Sequence, residues 1–254
     1  MSKIENIAAP PRLNFAQAAL FLDIDGTLLD IALTPHAVCV PSILIWAIEV
    51  LNARLHGAIA FVSGRPLEEI DMLFHPLKLA SVGCHGAQIR LSPDAEIEKA
   101  MTIPAEVKDR VSEILNLAPG IALEDKGYTL AVHYRRAPDS GPMVLRALME
   151  RRQFLDRFDL QLLKGKCVIE IKPRWFNKGT ALRRLMAHSP FTGRTPVFIG
   201  DDMTDEDVFR ALPDYDGIGL AVGRAIPGAA HVFDTPKTVR NWLVAQAQSM
   251  SPMS

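Results

Sequence analysis

The stretch FLDIDGTLLD, Phe21 to Asp30, ends a short apolar run with two aspartates one residue apart, then Gly26, Thr27 and two leucines. With AAL in front of it, the run has the length and composition of a strand buried on both faces of a parallel sheet. A carboxylate next to a core is costly unless it is paired or solvated. Two readings account for the pair. The strand simply stops there and water solvates both acids, or a cation and a reaction require them.

The flanking sequence repeats this arrangement. VPSILIWAIEVLNARL has helical apolar spacing with Pro41 at its start, and GAIAFVSGRP is an apolar strand running into a polar turn. PLEEIDMLF reads as a helix with acids in its first turn, where the helix dipole favours them. LASVGCHG and AQIRL read as short strands. Strand and helix therefore alternate over the first hundred or so residues, the pattern of a parallel sheet with helices on its faces. From about Ile103 to Lys172 the pattern changes to helices and paired strands without strict alternation, which predicts a small α+β unit with an antiparallel sheet. Alternation then resumes through KGTALRRLM, PVFIGDD, TDEDVFRAL, YDGIGLAV, HVFD and TVRNWLVAQ. The expected organisation is an α/β core, residues 1–102 and 173–254, split by an inserted α+β domain, residues 103–172.

Composition bounds what such a chain does. Of 254 residues 48% are hydrophobic and 22% charged, with a net charge of −1, so nothing resembles the basic footprint of a nucleic-acid binder. Three scattered cysteines, Cys39, Cys84 and Cys167, lack metal-ligand spacing and suit a reducing cytosol better than a disulfide framework. The N-terminal MSKIENIAAPPRLNF has no apolar core of a secretory signal, and no apolar run approaches membrane-spanning length. A cytoplasmic protein is expected, with a small molecule rather than a nucleic acid or membrane as its partner and a monomer as the default state.

Four strand-end signals recur in the α/β part: DIDGT at Asp23, SGR at Ser63, NKG at Lys178 and GDDMTDED at Asp201. In an open parallel sheet the carboxyl ends of neighbouring strands meet at one edge, where ligands bind. The groups brought there are carboxylates, a lysine, a serine and glycine-flanked turns. Clustered carboxylates suit a hard cation such as Mg²⁺. Lysine, hydroxyl and backbone N–H groups beside them suit a phosphoryl group. One carboxylate can attack phosphorus, while a second in a different environment handles protons.

These motifs, in this order, resemble those of the haloacid dehalogenase superfamily of phosphatases. The resemblance implies a Rossmann-like parallel-sheet core with an inserted α+β cap. Asp23 would be the nucleophile and Asp25 the general acid and base. Asp23, the backbone carbonyl of Asp25 and Asp201 would ligate Mg²⁺. Lys178, with Ser63, Gly64 and Arg65 of the SGR turn, would hold the phosphoryl group. Asp202 and Asp205 would orient water, Lys178 or the turn, Gly26 would permit the turn that aims backbone amides at the phosphoryl group, and Thr27 would donate to that group. SGRP, GCHGAQIR, EDKGYTLAVHYR, GKCVIEIKP, NKG and GDDMTDED narrow the resemblance to the trehalose-6-phosphate phosphatase family. That implies a Mg²⁺-dependent phosphatase working through an aspartyl-phosphate, with Glu124, Lys126, Lys166 and Glu170 of the cap on the sugar hydroxyls. His85, Arg90, His133 and Arg135 lie in the same motifs without an assigned contact. One departure is Gln88, where the family usually has Glu. Two rivals remain: a phosphatase or phosphomutase for another sugar phosphate, and a non-catalytic sensor that keeps the pocket.

Overall fold

The computed structural model describes residues 9–30, 39–165, 167–202 and 204–249. Lys166 therefore lies outside the described residues. The chain opens with β1 (Ala18–Leu22), α1 (Ser42–Arg54), β2 (Ile59–Val62), α2 (Leu67–Leu73), β3 (Ala80–Gly83), β4 (Gln88–Arg90) and a two-residue β5 (Glu98–Lys99). The middle holds α3 (Ala105–Ser112), β6 (Ala122–Asp125), β7 (Leu130–His133), α4 (Gly141–Glu150), α5 (Arg152–Asp156), β8 (Leu160–Gly165) and β9 (Val168–Pro173). The last part supplies α6 (Lys178–Met186), β10 (Thr195–Gly200), α7 (Glu206–Ala211), β11 (Ile218–Val222), β12 (Ala229–Phe233) and α8 (Pro236–Gln248). No helix among the described residues is long and apolar enough to cross a membrane.

By contact density the chain divides into two compact units, Lys99–Phe176 and the remainder. Each has its own core. In the larger unit eight strands form one sheet in the order β12-β11-β10-β1-β2-β3-β4-β5. Its strands from β12 to β3 run parallel, and β4 returns antiparallel to β3. β1 is central and every residue of it is buried, as its unbroken apolar run demands. Each large apolar side chain buried there contributes about 1.5–3 kcal/mol. Phe21, Phe61 and Phe198, from β1, β2 and β10, are all within 1% of complete burial.

Register then decides where the motifs fall. Leu22 pairs with Ile199 on one side and with Phe61 on the other. The residues that follow these three strands, Asp23, Ser63 and Asp201, therefore emerge at the same edge of the sheet. Lys178 arrives from a helix instead. Asn177 caps α6 by accepting from the Thr180 amide, and the Thr180 hydroxyl accepts from the Asn177 amide. This reciprocal cap fixes Lys178 as the first residue of the helix.

In the smaller unit four antiparallel strands order β6-β7-β9-β8. Alternation gives the sheet one apolar and one polar face. Leu130, Val132, Ile169 and Ile171 are fully buried and join Val107, Val111, Val144 and Leu148 of α3 and α4 in a second core. The opposite face carries Glu124, Ala131 and Glu170 in one cross-strand row.

Candidate active site

The centre of the larger unit's strand edge is a buried lysine between two carboxylates. Lys178 Nζ lies 2.7 Å from Asp23 Oδ1 and 2.7 Å from Asp205 Oδ1. Lys178 is 2% exposed, Asp23 4% and Asp205 0%, so water screens none of these charges. The other oxygen of Asp205 accepts from the amides of Asp201 and Asp202, at 2.9 and 3.0 Å. Asp205 thus ties the β10 turn to Lys178. The acidic first turn of a helix accounts for Glu206 but not for a fully buried, triply bonded Asp205. Of the partners expected for Asp205, water, Lys178 or the turn, its hydrogen bonds reach Lys178 and the turn.

Asp201 extends the cluster. Its Oδ1 accepts from the Thr27 hydroxyl at 3.2 Å, and its carbonyl accepts from Arg224 Nε at 2.9 Å. The Asp202 carboxylate closes the turn by accepting from the amide and hydroxyl of Thr204. Gly26 is required twice over. Its φ is +81°, and a Cβ there would stand 2.2 Å from Asp201 Oδ2. Nothing in the sequence singled out Arg224, because its acceptor is a backbone carbonyl 23 residues away.

The electrostatics follow from crowding. Burial, opposed by Lys178 and reinforced by Asp201 and Asp202, pushes Asp23 up to about 6. Burial and the neighbouring Asp205 and Asp202 push Asp201 up to about 6 as well. Burial and the facing Asp23 raise Asp205 to about 7. Lys178 moves further above its ordinary range: its burial works against the charge, but Asp23 and Asp205 outweigh it. Asp202 is the exception. Burial opposes its charge, yet Lys178 and Thr204 hold it below the usual carboxylate range.

One ammonium thus faces more carboxylates than it can neutralise, and a divalent cation would balance the surplus. Carboxylate oxygens of Asp23, Asp201 and Asp205 lie within 4.8 Å of one another. An all-oxygen set of this kind fits a hard cation. Asp205 already gives one oxygen to Lys178 and the other to two amides. Asp23 and Asp201 are therefore the better donors, and Asp205 supports them.

Arg65 grips Asp25 with Nε and Nη2, each 2.6 Å from a carboxylate oxygen, and its Nη1 lies 3.3 Å from Glu69. Ser63 follows β2 at the strand edge, buried, and its hydroxyl accepts from the Arg65 amide at 3.1 Å. Gly64 leaves room for the His85 ring, whose Nε2 would stand 2.5 Å from an added Cβ. The N-terminus of α2 is served by Gln88, whose Oε1 accepts from the Leu67 amide at 2.9 Å. An acceptor is what that amide needs, and Gln supplies it as Glu would. Arg90 is also structural. It makes two 2.6 Å bonds to Asp71 and donates to the Leu79 carbonyl.

On the polar face of the smaller unit's sheet, Lys126 Nζ donates to Glu170 at 3.1 Å and lies 4.0 Å from Glu124. His133 Nε2 is 2.8 Å from the same Glu124. Ala131 pairs with Glu170 and Glu124 on this face, so a small side chain lies between the two acids. Sequence reading placed Glu124, Lys126 and Glu170 together but did not attach His133 to them. Its cross-strand neighbour is Ala122, and the contact to Glu124 is diagonal.

Comparison with known proteins adds the family. A family model described as trehalose-phosphatase matches residues 21–227. A probable trehalose-phosphate phosphatase of Sinorhizobium fredii is 40% identical over 221 residues, 86% of this chain and 82% of that protein. The trehalose-6-phosphate phosphatase of Escherichia coli is 34% identical over 248 residues, 94% of this chain and 90% of that one. Among solved structures, Aspergillus fumigatus trehalose-6-phosphate phosphatase superposes with a TM-score of 0.74 at 25% identity, covering 95% of this chain and 100% of that chain. The matched span contains Asp23, Lys178, Asp201 and Asp205, and the chain belongs to the trehalose-phosphatase family.

Proposed function

We propose that this protein hydrolyses trehalose 6-phosphate to trehalose and inorganic phosphate through an aspartyl-phosphate on Asp23. The observation that carries the reading is Lys178, buried between Asp23 and Asp205 at the strand edge. A binding module has no need for a desolvated carboxylate held by an ammonium, whereas a nucleophile that must meet an anionic phosphoryl group does. Asp23 and Asp201, with the Asp25 backbone carbonyl, would hold Mg²⁺, which when bound offsets the phosphoryl charge. Lys178 keeps Asp23 oriented, and with Ser63 it would donate to the phosphoryl oxygens.

The chemistry balances in two steps. A bond forms between an Asp23 oxygen and phosphorus as the bond from phosphorus to the sugar oxygen breaks. Asp25 supplies a proton to the departing sugar oxygen. Asp25 then takes a proton from water, that oxygen bonds to phosphorus, and the Asp23–phosphorus bond breaks to release phosphate.

Sugar recognition falls to the smaller unit, read here as the cap. Glu124, Lys126 and Glu170 put donors and acceptors together on its polar sheet face, and Lys166, which lies outside the described residues, completes the assignment from sequence. Charged groups that hydrogen-bond hydroxyls reject a sugar lacking them, because they would be left unpaired. The sparse, scattered cysteines Cys39, Cys84 and Cys167 support a cytoplasmic location.

Phosphate release from trehalose, glucose, sucrose and mannose 6-phosphates, with Mg²⁺ and with EDTA, tests this reading. A Mg²⁺-dependent preference for trehalose 6-phosphate is expected. Preference for another sugar phosphate overturns the sugar assignment, and no release from any of them overturns the catalytic one.

A further inference from the structure

Arg65 and Asp25 form a closed bidentate pair, although one was expected to bind phosphate and the other to move protons. All three guanidinium nitrogens face carboxylates, two on Asp25 and one on Glu69. The arginine is fixed at its base as well. Its amide donates to Ser63 Oγ and its carbonyl accepts from the Cys84 amide at 2.9 Å. Its side chain is 11% exposed, against 38% for Asp25. A guanidinium between two acids is not an electropositive pocket for a phosphoryl dianion. It is a well-anchored holder for the more exposed partner.

The pair also constrains Asp25. Both Asp25 oxygens are engaged by the guanidinium, so turning either one toward a leaving group strains or breaks one of the two bonds. To act in the reaction it must release one oxygen while keeping the other. We propose that Arg65 is a positioning residue for Asp25: it parks the carboxyl group between turnovers, and during turnover keeps one oxygen while the other carries the proton given to the leaving group and then regained from the attacking water. It does not grip the phosphoryl group. The inference rests on the functional reading above and deepens it by separating Arg65 from the phosphate-binding set.

Leaving-group dependence tests it. A sugar alkoxide needs a proton to depart, and p-nitrophenolate does not. The quantity to measure is kcat/KM, which reports the steps up to phosphoryl transfer. Arg65→Ala is expected to lower kcat/KM for the sugar phosphate about 10- to 100-fold, and for p-nitrophenyl phosphate less than about threefold. Inhibition by inorganic phosphate should keep its constant within about twofold, since no phosphoryl contact is lost. Arg65→Lys, which keeps the charge but not the bidentate fork, should show the same split at smaller size and serves if Arg65→Ala fails to fold. Equal losses on both substrates, or an inhibition constant for phosphate raised about tenfold or more, would overturn the proposal and return Arg65 to the phosphoryl group. The unmodified protein's rate on trehalose 6-phosphate tests the substrate reading separately. The split is measured on whichever sugar phosphate it hydrolyses.

Discussion

Replacing Lys178 by methionine keeps the volume and removes the one ammonium that Asp23 and Asp205 share. Both oxygens it touches are 2.7 Å away, and all three side chains are nearly water-free. Breaking a buried ion pair from one side typically costs about 3–5 kcal/mol. For a protein of this size that lowers Tm by roughly 6–20 °C, at about 2–4 °C per kcal/mol. The penalty has a pH signature. Asp23 and Asp205 are already raised to about 6 and about 7, and losing Lys178 raises both further. A carboxyl whose folded pKa lies above its unfolded value binds its proton more tightly when folded. Its destabilising contribution is therefore full above the folded pKa and fades as pH falls through it. Calorimetry of Lys178→Met and the unmodified protein in EDTA should show the largest Tm gap at pH 8 and a clearly smaller one near pH 5.5. A Tm gap that is independent of pH, or that corresponds to less than about 1 kcal/mol at pH 8, would refute the reasoning that Lys178 offsets two buried carboxylates.

Gly26→Ala should abolish turnover and destabilise the fold by about 1–3 kcal/mol, because the left-handed backbone and the 2.2 Å approach to Asp201 both resist a Cβ; thermal melts and phosphate release check it. Glu170→Ala should lower kcat/KM for trehalose 6-phosphate about 10- to 100-fold and leave p-nitrophenyl phosphate nearly unchanged, the worth of a lost charged hydrogen bond. Gln88→Glu should keep substrate preference and leave stability within about 1 kcal/mol, whereas Gln88→Leu should cost about 1–2 kcal/mol by orphaning the Leu67 amide. Mg²⁺ affinity, measured by titration calorimetry, should weaken as pH falls through about 6, where protons compete for Asp23 and Asp201.

What could be read from sequence divides along physical lines. The α/β core was legible because β1 and β10 are unbroken apolar runs that end in acids, and parallel register brings such ends to one edge. Lys178 was legible because the NKG motif stands directly before a helical pattern, and the structure adds the Asn177–Thr180 capping box that fixes it there. The partner of Asp25 was not, since Arg65 is 40 residues away and its reach depends on where β2 turns into α2. The role of Gln88 was hidden for the same reason: its acceptor meets an amide on α2, 21 residues back in the chain. Asp205 was named from the GDDMTDED motif, but its burial and its bonds to two amides were not legible, because they depend on how the turn after β10 folds around it. His133 reaches Glu124 along a diagonal that depends on the β6–β7 register.

The central claim is that Asp23 becomes covalently phosphorylated. The direct measurement is an acid quench of the protein turning over trehalose 6-phosphate that carries a radiolabelled phosphoryl group, followed by mapping of any labelled peptide. The account predicts hydroxylamine-labile label on the peptide containing Asp23, and neither label nor turnover in Asp23→Asn. Label on a different residue, or full turnover by Asp23→Asn, would contradict it.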